Sequence, residues 1–276
     1  MKSNLAILSS DIKSINFIHD NKLTKFCNLY ANCSRNVGDA EKFSSKYNFT
    51  KYYGSYEELL EDKDIDFVIN FLPSGIKFEY NYLSLKKGIK VITNYPIISS
   101  ISEISFFSKI IKNGLISNLF LIDDCNIKKL YNESHDYEHI TYYKNINESQ
   151  ILNNSLLNTD ILFELCPDLF FFINKYRENN IKIKINNTVK DKITNKINYL
   201  NCIIKIDSKV NLQVILDNSS YENKHLSYTI NNFNEINDFL FNKKDLINFI
   251  NSKKPFDNLS DFQYYPFKLF QEVFNE

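Results

Sequence analysis

Ile65 to Pro96 reads IDFVINFLPSGIKFEYNYLSLKKGIKVITNYP, and its grammar sets the fold. Asp66 to Phe71 is a short apolar run of the kind that becomes a fully buried strand. Pro73, Ser74 and Gly75 interrupt it. Ile76 to Lys87 then carries Phe78, Tyr82, Leu83 and Leu85 on a helical rather than a two-residue repeat. Gly88 stops that helix, and Lys90 to Thr93 is a second short strand. Strand, turn, helix, glycine stop and strand make one βαβ crossover, which requires a parallel sheet.

The flanking sequence repeats this alternation. Asn4 to Leu8 predicts a first strand, Ser9 to Asp11 a turn, and Ile12 to Asp20 a helix with Ile15 and Ile18 or Phe17 inward. Phe26 to Ser34 predicts the second strand, Asp39 to Tyr47 a helix after Gly38, and Tyr56 to Leu60 a short helix before the crossover. Ser102 to Asn113 is a further helix ended by Gly114, and Leu119 to Ile122 a fifth strand. Strands alternating with helices predict a Rossmann-like, doubly wound parallel sheet over residues 1–123. Beyond Asp123 the pattern changes. Leu156 to Tyr176 is a long apolar helical segment, and strand-like runs follow at Ile181 to Ile185, Asn198 to Ile206, Val210 to Leu216 and Leu226 to Ile230. Helical patterns at Lys243 to Asn251 and Leu259 to Phe274 close the chain. Strands without interposed helices predict a smaller α+β domain with a mostly antiparallel sheet over residues 124–276.

Composition narrows the function classes. The 276 residues are 43% hydrophobic and 24% charged, which are globular values. Lys+Arg and Asp+Glu are 33 each, so net charge makes no case for nucleic acid or an anionic membrane. No apolar run approaches a membrane span, and the apolar core Leu5 to Leu8 is too short for a secretory signal. Five cysteines without a CxxC pair (Cys27, Cys33, Cys125, Cys166, Cys202) read as reduced thiols of a cytoplasmic protein. The abundance of Asn, Ile and Lys reads as base-composition bias.

The order of Tyr53-Gly-Ser-Tyr-Glu-Glu-Leu-Leu60, Asp64-Ile-Asp66, a strand ending in Leu72-Pro73, Gly88-Ile-Lys-Val-Ile92 and Pro96 resembles the Gfo/Idh/MocA oxidoreductases. The resemblance runs from Lys2 to Leu121 and is fainter beyond. It implies an NAD or NADP cofactor, a sugar or polyol substrate, and a homo-oligomer formed through the open face of the second domain's sheet.

The positions that carry chemistry in that family hold other residues here. Where the resemblance implies a glycine-rich phosphate turn, the chain has Ser9, Ser10, Asp11, Ile12, Lys13 and Ser14. Asp11 falls on the position where pyrophosphate approaches the backbone. A carboxylate ~4 Å from a phosphate charge costs about 4 kcal/mol at an effective dielectric of 20, roughly a thousandfold in affinity. Asp is equally a favoured helix N-cap, which would fill the anion slot with the protein's own charge. Conventional dinucleotide binding is therefore not expected. Ser34 and Arg35 follow the second strand, where the resemblance implies a contact to the adenosine ribose; an Arg suits a 2′-phosphate, and a lone surface Arg is the plainer reading.

Pro73 and Asn94 fall on cofactor-side positions, and Lys77 stands where the family has a His; a helix-surface lysine is the plain reading. The family's Glu-Lys-Pro signature is Asn94-Tyr95-Pro96, so Tyr95 replaces the catalytic Lys. The family's Asp-x-x-x-His becomes Glu164-Leu-Cys-Pro-Asp168, putting Asp168 at the acid/base His. Tyr95 has a structural-aromatic reading and Asp168 a helix-opening one. His135 and His139 have the i, i+4 spacing of half a metal site on a helix, with no third ligand, and read as a surface pair. Three functions stay open: a divergent NAD(P)-dependent oxidoreductase, a non-catalytic metabolite- or partner-binding descendant, and a biliverdin-reductase-like member that needs no Lys–His pair.

Overall fold

The computed structural model describes residues 2–94, 97–98, 103–122, 128–129, 139–145, 173, 180–190, 197–207, 210–217, 234–235, 243–252 and 269. Strands β1 (Ser3–Ile7), β2 (Cys27–Cys33), β3 (Lys51–Tyr53), β4 (Phe67–Asn70), β5 (Lys90–Asn94) and β6 (Leu119–Ile122) form one sheet in the order β3-β2-β1-β4-β5-β6. Every pairing in it is parallel. The helices between them are α1 (Ile12–Asp20), α2 (Val37–Tyr47), α3 (Tyr56–Glu61), α4 (Ser74–Lys86) and α5 (Ile104–Lys112). This is the doubly wound sheet expected, with one strand more: Lys51–Tyr53 adds an edge beyond β2.

The sequence explains these elements locally. The Phe67–Asn70 run is buried throughout, as a central parallel strand must be. Helix α4 stops where Gly88 takes a φ of 78°, a left-handed backbone that costs glycine nothing, and the Ile89 N–H returns to the Ser84 carbonyl at 3.0 Å. Helix α2 starts ahead of Gly38 because Asn36 caps it, accepting from the Gly38 N–H at 3.0 Å.

Contacts divide the chain into two compact units. One is Met1–Ile97, Phe107–Asp124 and Phe239–Leu259; the other is Ile98–Phe106, Cys125–Asp238 and Ser260–Glu276. The C-terminal helix α6 (Lys243–Asn251) thus groups with the first unit, although its position in sequence placed it in 124–276. Its Leu246, Phe249 and Ile250 are buried with Leu5, Ile7, Ile18, Phe67, Ile92 and Phe120. Lys90 fastens its far end: the ammonium donates to the Phe249 carbonyl at 2.6 Å and to the Ser252 carbonyl, and lies 5.2 Å from the Phe249 ring centroid. A cation on the last carbonyls of a helix also opposes the helix dipole. Lys243 does the same for α1, donating to the Asp20 carbonyl at 3.2 Å.

In the second unit β8 (His139–Asn145), β9 (Ile181–Lys190), β10 (Ile197–Ile206) and β11 (Val210–Asp217) form a sheet in the order β8-β11-β10-β9. Its β11–β10 and β10–β9 pairings are antiparallel, while β8 joins β11 in parallel. A small antiparallel pair joins β7 (Lys128–Lys129) and β12 (Asn234–Glu235). On β10 and β11, Leu200, Cys202, Ile204, Ile206, Leu212 and Val214 are buried, and their register puts them on one face. The other face carries Tyr199, Asn201, Ile203, Gln213 and Ile215, all half-buried. The runs expected at Leu156–Tyr176, Leu226–Ile230 and Leu259–Phe274 lie outside the described residues, apart from Ile173 and one residue of the last.

Candidate ligand crevice at the strand ends

In an open parallel sheet, ligands bind outside the carboxyl ends of the strands where the strand order reverses. Here that point lies between β1, whose chain leads toward β2, and β4, whose chain leads toward β5. Ser9, Ser10 and Asp11 follow β1; Ser34 and Arg35 follow β2; Pro73 follows β4; Asn94 ends β5. The structure places these seven residues at the carboxyl edge of one sheet. Tyr95 and Asp168 lie outside the described residues.

Asp11 is the N-cap of α1. Its backbone is extended (φ −124°, ψ 156°), and Oδ1 accepts the Ser14 N–H at 2.7 Å. Oδ2 accepts the Ser9 hydroxyl, with the Ser14 hydroxyl at 3.4 Å. The carboxylate therefore takes up one of the unsatisfied N–H groups that open a helix and point toward an anion in a phosphate-binding turn. Ser14, at the third glycine position, is fully buried against the sheet, and its small side chain permits the close helix–strand packing that glycine allows there.

The neighbouring hydroxyls are also engaged within the protein. Ser10 donates to the Cys33 carbonyl at 3.0 Å and accepts from Asn32 Nδ2 at 2.8 Å. Asn32, buried in β2, also donates to the Ala40 carbonyl at 3.2 Å, and the Ser44 hydroxyl reaches its Oδ1. This ties the β1 turn to α2. Ser34 accepts the Asn36 N–H at 3.3 Å, and Arg35 is exposed. Burial raises the Tyr56 phenol above its ordinary range, with Cys33 adding to the rise and Arg35 opposing it. Burial, then Glu57 and Glu58, pushes the Cys33 thiol up to about 12, which leaves it inert as a nucleophile at neutral pH.

A second polar cluster, not anticipated from the sequence, lies under the other half of the crevice. Asn70 Nδ2 donates to Asn81 Oδ1 at 2.7 Å and to the Lys77 carbonyl at 3.0 Å, while its Oδ1 accepts the Leu72 N–H at 3.1 Å. Thr93 donates to the Asn70 carbonyl at 2.9 Å, and Asn81 Nδ2 stands 3.5 Å from Thr93 Oγ1. Asn70, Asn81 and Thr93 are fully buried, and Asn94 nearly so. Lys77 is only 3% exposed, which corrects its reading as a helix-surface lysine. The available signal was Asn70 closing an otherwise apolar run. A buried amide needs partners, and the residues four apart on α4, Lys77 and Asn81, lie on the face that supplies them.

His139 opens strand β8 rather than lying on a helix, so the i, i+4 reading with His135 does not hold; His135 itself lies outside the described residues. No group of three metal-ligating side chains occurs among the described residues. No described helix is long and apolar enough to cross a membrane. Cys27, Cys33 and Cys202 are free and buried.

Residues 12–113 match the family described as "Oxidoreductase family, NAD-binding Rossmann fold", the Gfo/Idh/MocA group. A curated relative, trans-1,2-dihydrobenzene-1,2-diol dehydrogenase of Danio rerio, is 28% identical over 97 residues. That match takes in 34% of this chain and only 28% of the relative's length. Among solved structures, the WlbA dehydrogenase from Bordetella pertussis, in complex with NADH and UDP-GlcNAcA, is similar with a TM-score of 0.66 at 10% identity, covering 100% of this chain and 96% of that one. The myo-inositol 2-dehydrogenase from Lactobacillus plantarum gives 0.55 at 12% identity, covering 79% and 71%. A mutant of KijD10, a 3-ketoreductase from Actinomadura kijaniata in complex with TDP-benzene and NADP, gives 0.55 at 14%, covering 79% and 69%. At such identities the structural likeness speaks for the fold, and the sequence match over 12–113 speaks for descent. Residues 12–113 are thus similar, at low identity, to the NAD-binding Rossmann domain of the Gfo/Idh/MocA oxidoreductases.

Proposed function

We propose that this protein uses the crevice at the carboxyl ends of β1, β4 and β5 to hold a small sugar- or polyol-type metabolite, and that it no longer binds NAD(P) in the manner of its family. Hydride chemistry is then impaired or lost. The observation that carries this reading is the Asp11 carboxylate bonded to the Ser14 N–H at 2.7 Å. A pyrophosphate at the same helix end would displace that bond and meet a negative charge. The residues present do not suit the cofactor: no glycine stands in the turn, and Ser9 and Ser10 are turned to internal partners. The substrate class follows from the relatives, whose names speak of a dihydrodiol, an inositol and a nucleotide sugar. Tyr95 and Asp168 stand where the resemblance puts the family's proton-transfer pair; as a phenol and a carboxylate, they are poor substitutes for a lysine and a histidine.

A thermal-shift panel of polyols, hexoses and nucleotide sugars, each with and without NADPH, tests the reading. Stabilisation by one of these compounds in the absence of cofactor supports it. Stabilisation that requires NADPH would overturn it.

A further inference from the structure

Tyr56 opens α3 just past the end of β3, and Ser34 and Arg35 follow the neighbouring strand β2. The two strand ends are level, since the Ser34 N–H donates to the Tyr53 carbonyl at 3.2 Å. Tyr56 is 9% exposed, and its ring stands edge-on to Tyr80 with centroids 4.8 Å apart. Beyond burial, the groups that act most on its phenol are Cys33 and Arg35, with Glu57 and Asp11 after them. Cys33, Arg35 and Asp11 all stand at the carboxyl edge of the sheet, which puts the hydroxyl at the β1–β2 side of the crevice.

Neighbouring phenols have partners inside the protein. Tyr30 and Tyr53 donate to Asp62 at 3.1 and 2.5 Å, and Tyr80 donates to Glu57 at 2.6 Å. The Tyr56 hydroxyl has no hydrogen bond among the described residues, and it keeps some contact with solvent. A hydroxyl nine-tenths buried without a partner costs stability, and Phe would fill the same space. Packing therefore explains the ring and not its oxygen. Two more donors stand at the same strand end. Arg35 is exposed and has no ion pair among the described residues. Ser34 Oγ accepts the Asn36 N–H at 3.3 Å, which leaves its own proton to donate. One guanidinium and two hydroxyls together suit an anion with several oxygens. Asp11, across at the end of β1, is bonded to Ser9 and Ser14, so the positive side of the crevice is the β2 end.

Resting on the metabolite reading above, we propose that Ser34, Arg35 and Tyr56 form an anion site that receives the phosphate of a sugar phosphate, at the β2 end and not at the β1–α1 turn. Calorimetry on the full chain with D-glucose 6-phosphate and D-glucose tests this. Wild-type protein should bind the phosphorylated sugar at least tenfold more tightly. Arg35→Gln should abolish that preference, and Tyr56→Phe should lower it at least threefold while keeping the wild-type melting temperature or raising it. Measurable but equal binding of the two sugars by wild type, or a preference unchanged in both variants, overturns the proposal. NADPH and NADH distinguish the two sources of such a phosphate. If wild type binds NADPH far more tightly than NADH and Arg35→Gln removes the difference, the site holds a nucleotide 2′-phosphate and the sugar phosphate is overturned. Protein labelled with 15N separates the anion site from the metabolite reading. The Arg35 Nε signal, assigned by its loss in Arg35→Gln, should move with sodium phosphate and stay still with sodium chloride of equal ionic strength. If neither sugar binds but phosphate moves the signal, the sugar class fails and the anion site stands. A signal unmoved by phosphate removes the site.

Discussion

Replacing Phe249 by Ala asks whether α6 is part of the first unit's core or an appendage on it. The ring is fully buried, lies 5.3 Å from the Phe120 ring centroid, and carries the Lys90 ammonium 5.2 Å from its own. Removing a buried Phe costs roughly 3–5 kcal/mol through lost transfer energy and the cavity left behind. The Lys90 stem loses its aromatic contact as well, worth about 0.5–2 kcal/mol, part of which is already in the first figure. At roughly 2–4 °C per kcal/mol for a domain of this size, a loss of about 4 kcal/mol lowers Tm by about 8–16 °C. Urea unfolding followed by circular dichroism measures the free energy directly, with Val189→Ala, at a 52% exposed position on β9, as the control expected within about 0.5 kcal/mol of wild type. A Phe249→Ala loss below about 1 kcal/mol would refute the placement of α6 in the core.

Four further outcomes are expected. Burial alone would raise the Asp62 pKa, but hydrogen bonds from Lys51 at 2.8 Å, Tyr53 at 2.5 Å, the Asp64 N–H at 3.0 Å and Tyr30 at 3.1 Å hold it well below the usual carboxylate range. Its contribution is therefore complete above the unfolded value near ~3.9 and lost as pH falls below about 4; Asp62→Ala should cost roughly 1–3 kcal/mol at pH 7 and flatten that acid dependence in urea melts. Asp11→Gly should weaken the α1 cap by up to about 1 kcal/mol while tightening any residual NADPH binding, and unchanged affinity would assign the obstacle to the turn's shape. Tyr95→Phe and Asp168→Asn should leave metabolite binding nearly intact; a fall of roughly 10²-fold in turnover on a sugar substrate would show a working acid/base pair. Sedimentation should find a homodimer at micromolar concentration, formed through the β8-β11-β10-β9 sheet, and a monomer throughout that range would remove the argument from its Tyr199, Ile203 and Ile215 face.

The alternation of apolar runs and glycine stops made the parallel sheet legible, because a buried strand and a helix of the right period leave distinct patterns. Lys51–Tyr53 escaped that reading: three residues, none of them aliphatic, have no period to detect. Helix α6 was legible as a helix but not in its place, since periodicity shows that a face is buried and not what covers it. Asp11 was legible as a cap because Asp before a helical run has few other uses. Lys77 was misread for the opposite reason: lysine on an amphipathic helix is solvated so often that only the Asn70–Asn81–Thr93 network reveals this one as buried.

In the β1–α1 turn the Asp11 carboxylate accepts the Ser14 N–H, the place where a dinucleotide phosphate would otherwise bind. Isothermal titration of the purified chain with NADH and with NADPH, without any substrate, tests this replacement most directly. Neither nucleotide should bind with a dissociation constant below roughly 10 μM, about −7 kcal/mol. Micromolar or tighter binding of either one to the wild-type turn would contradict it.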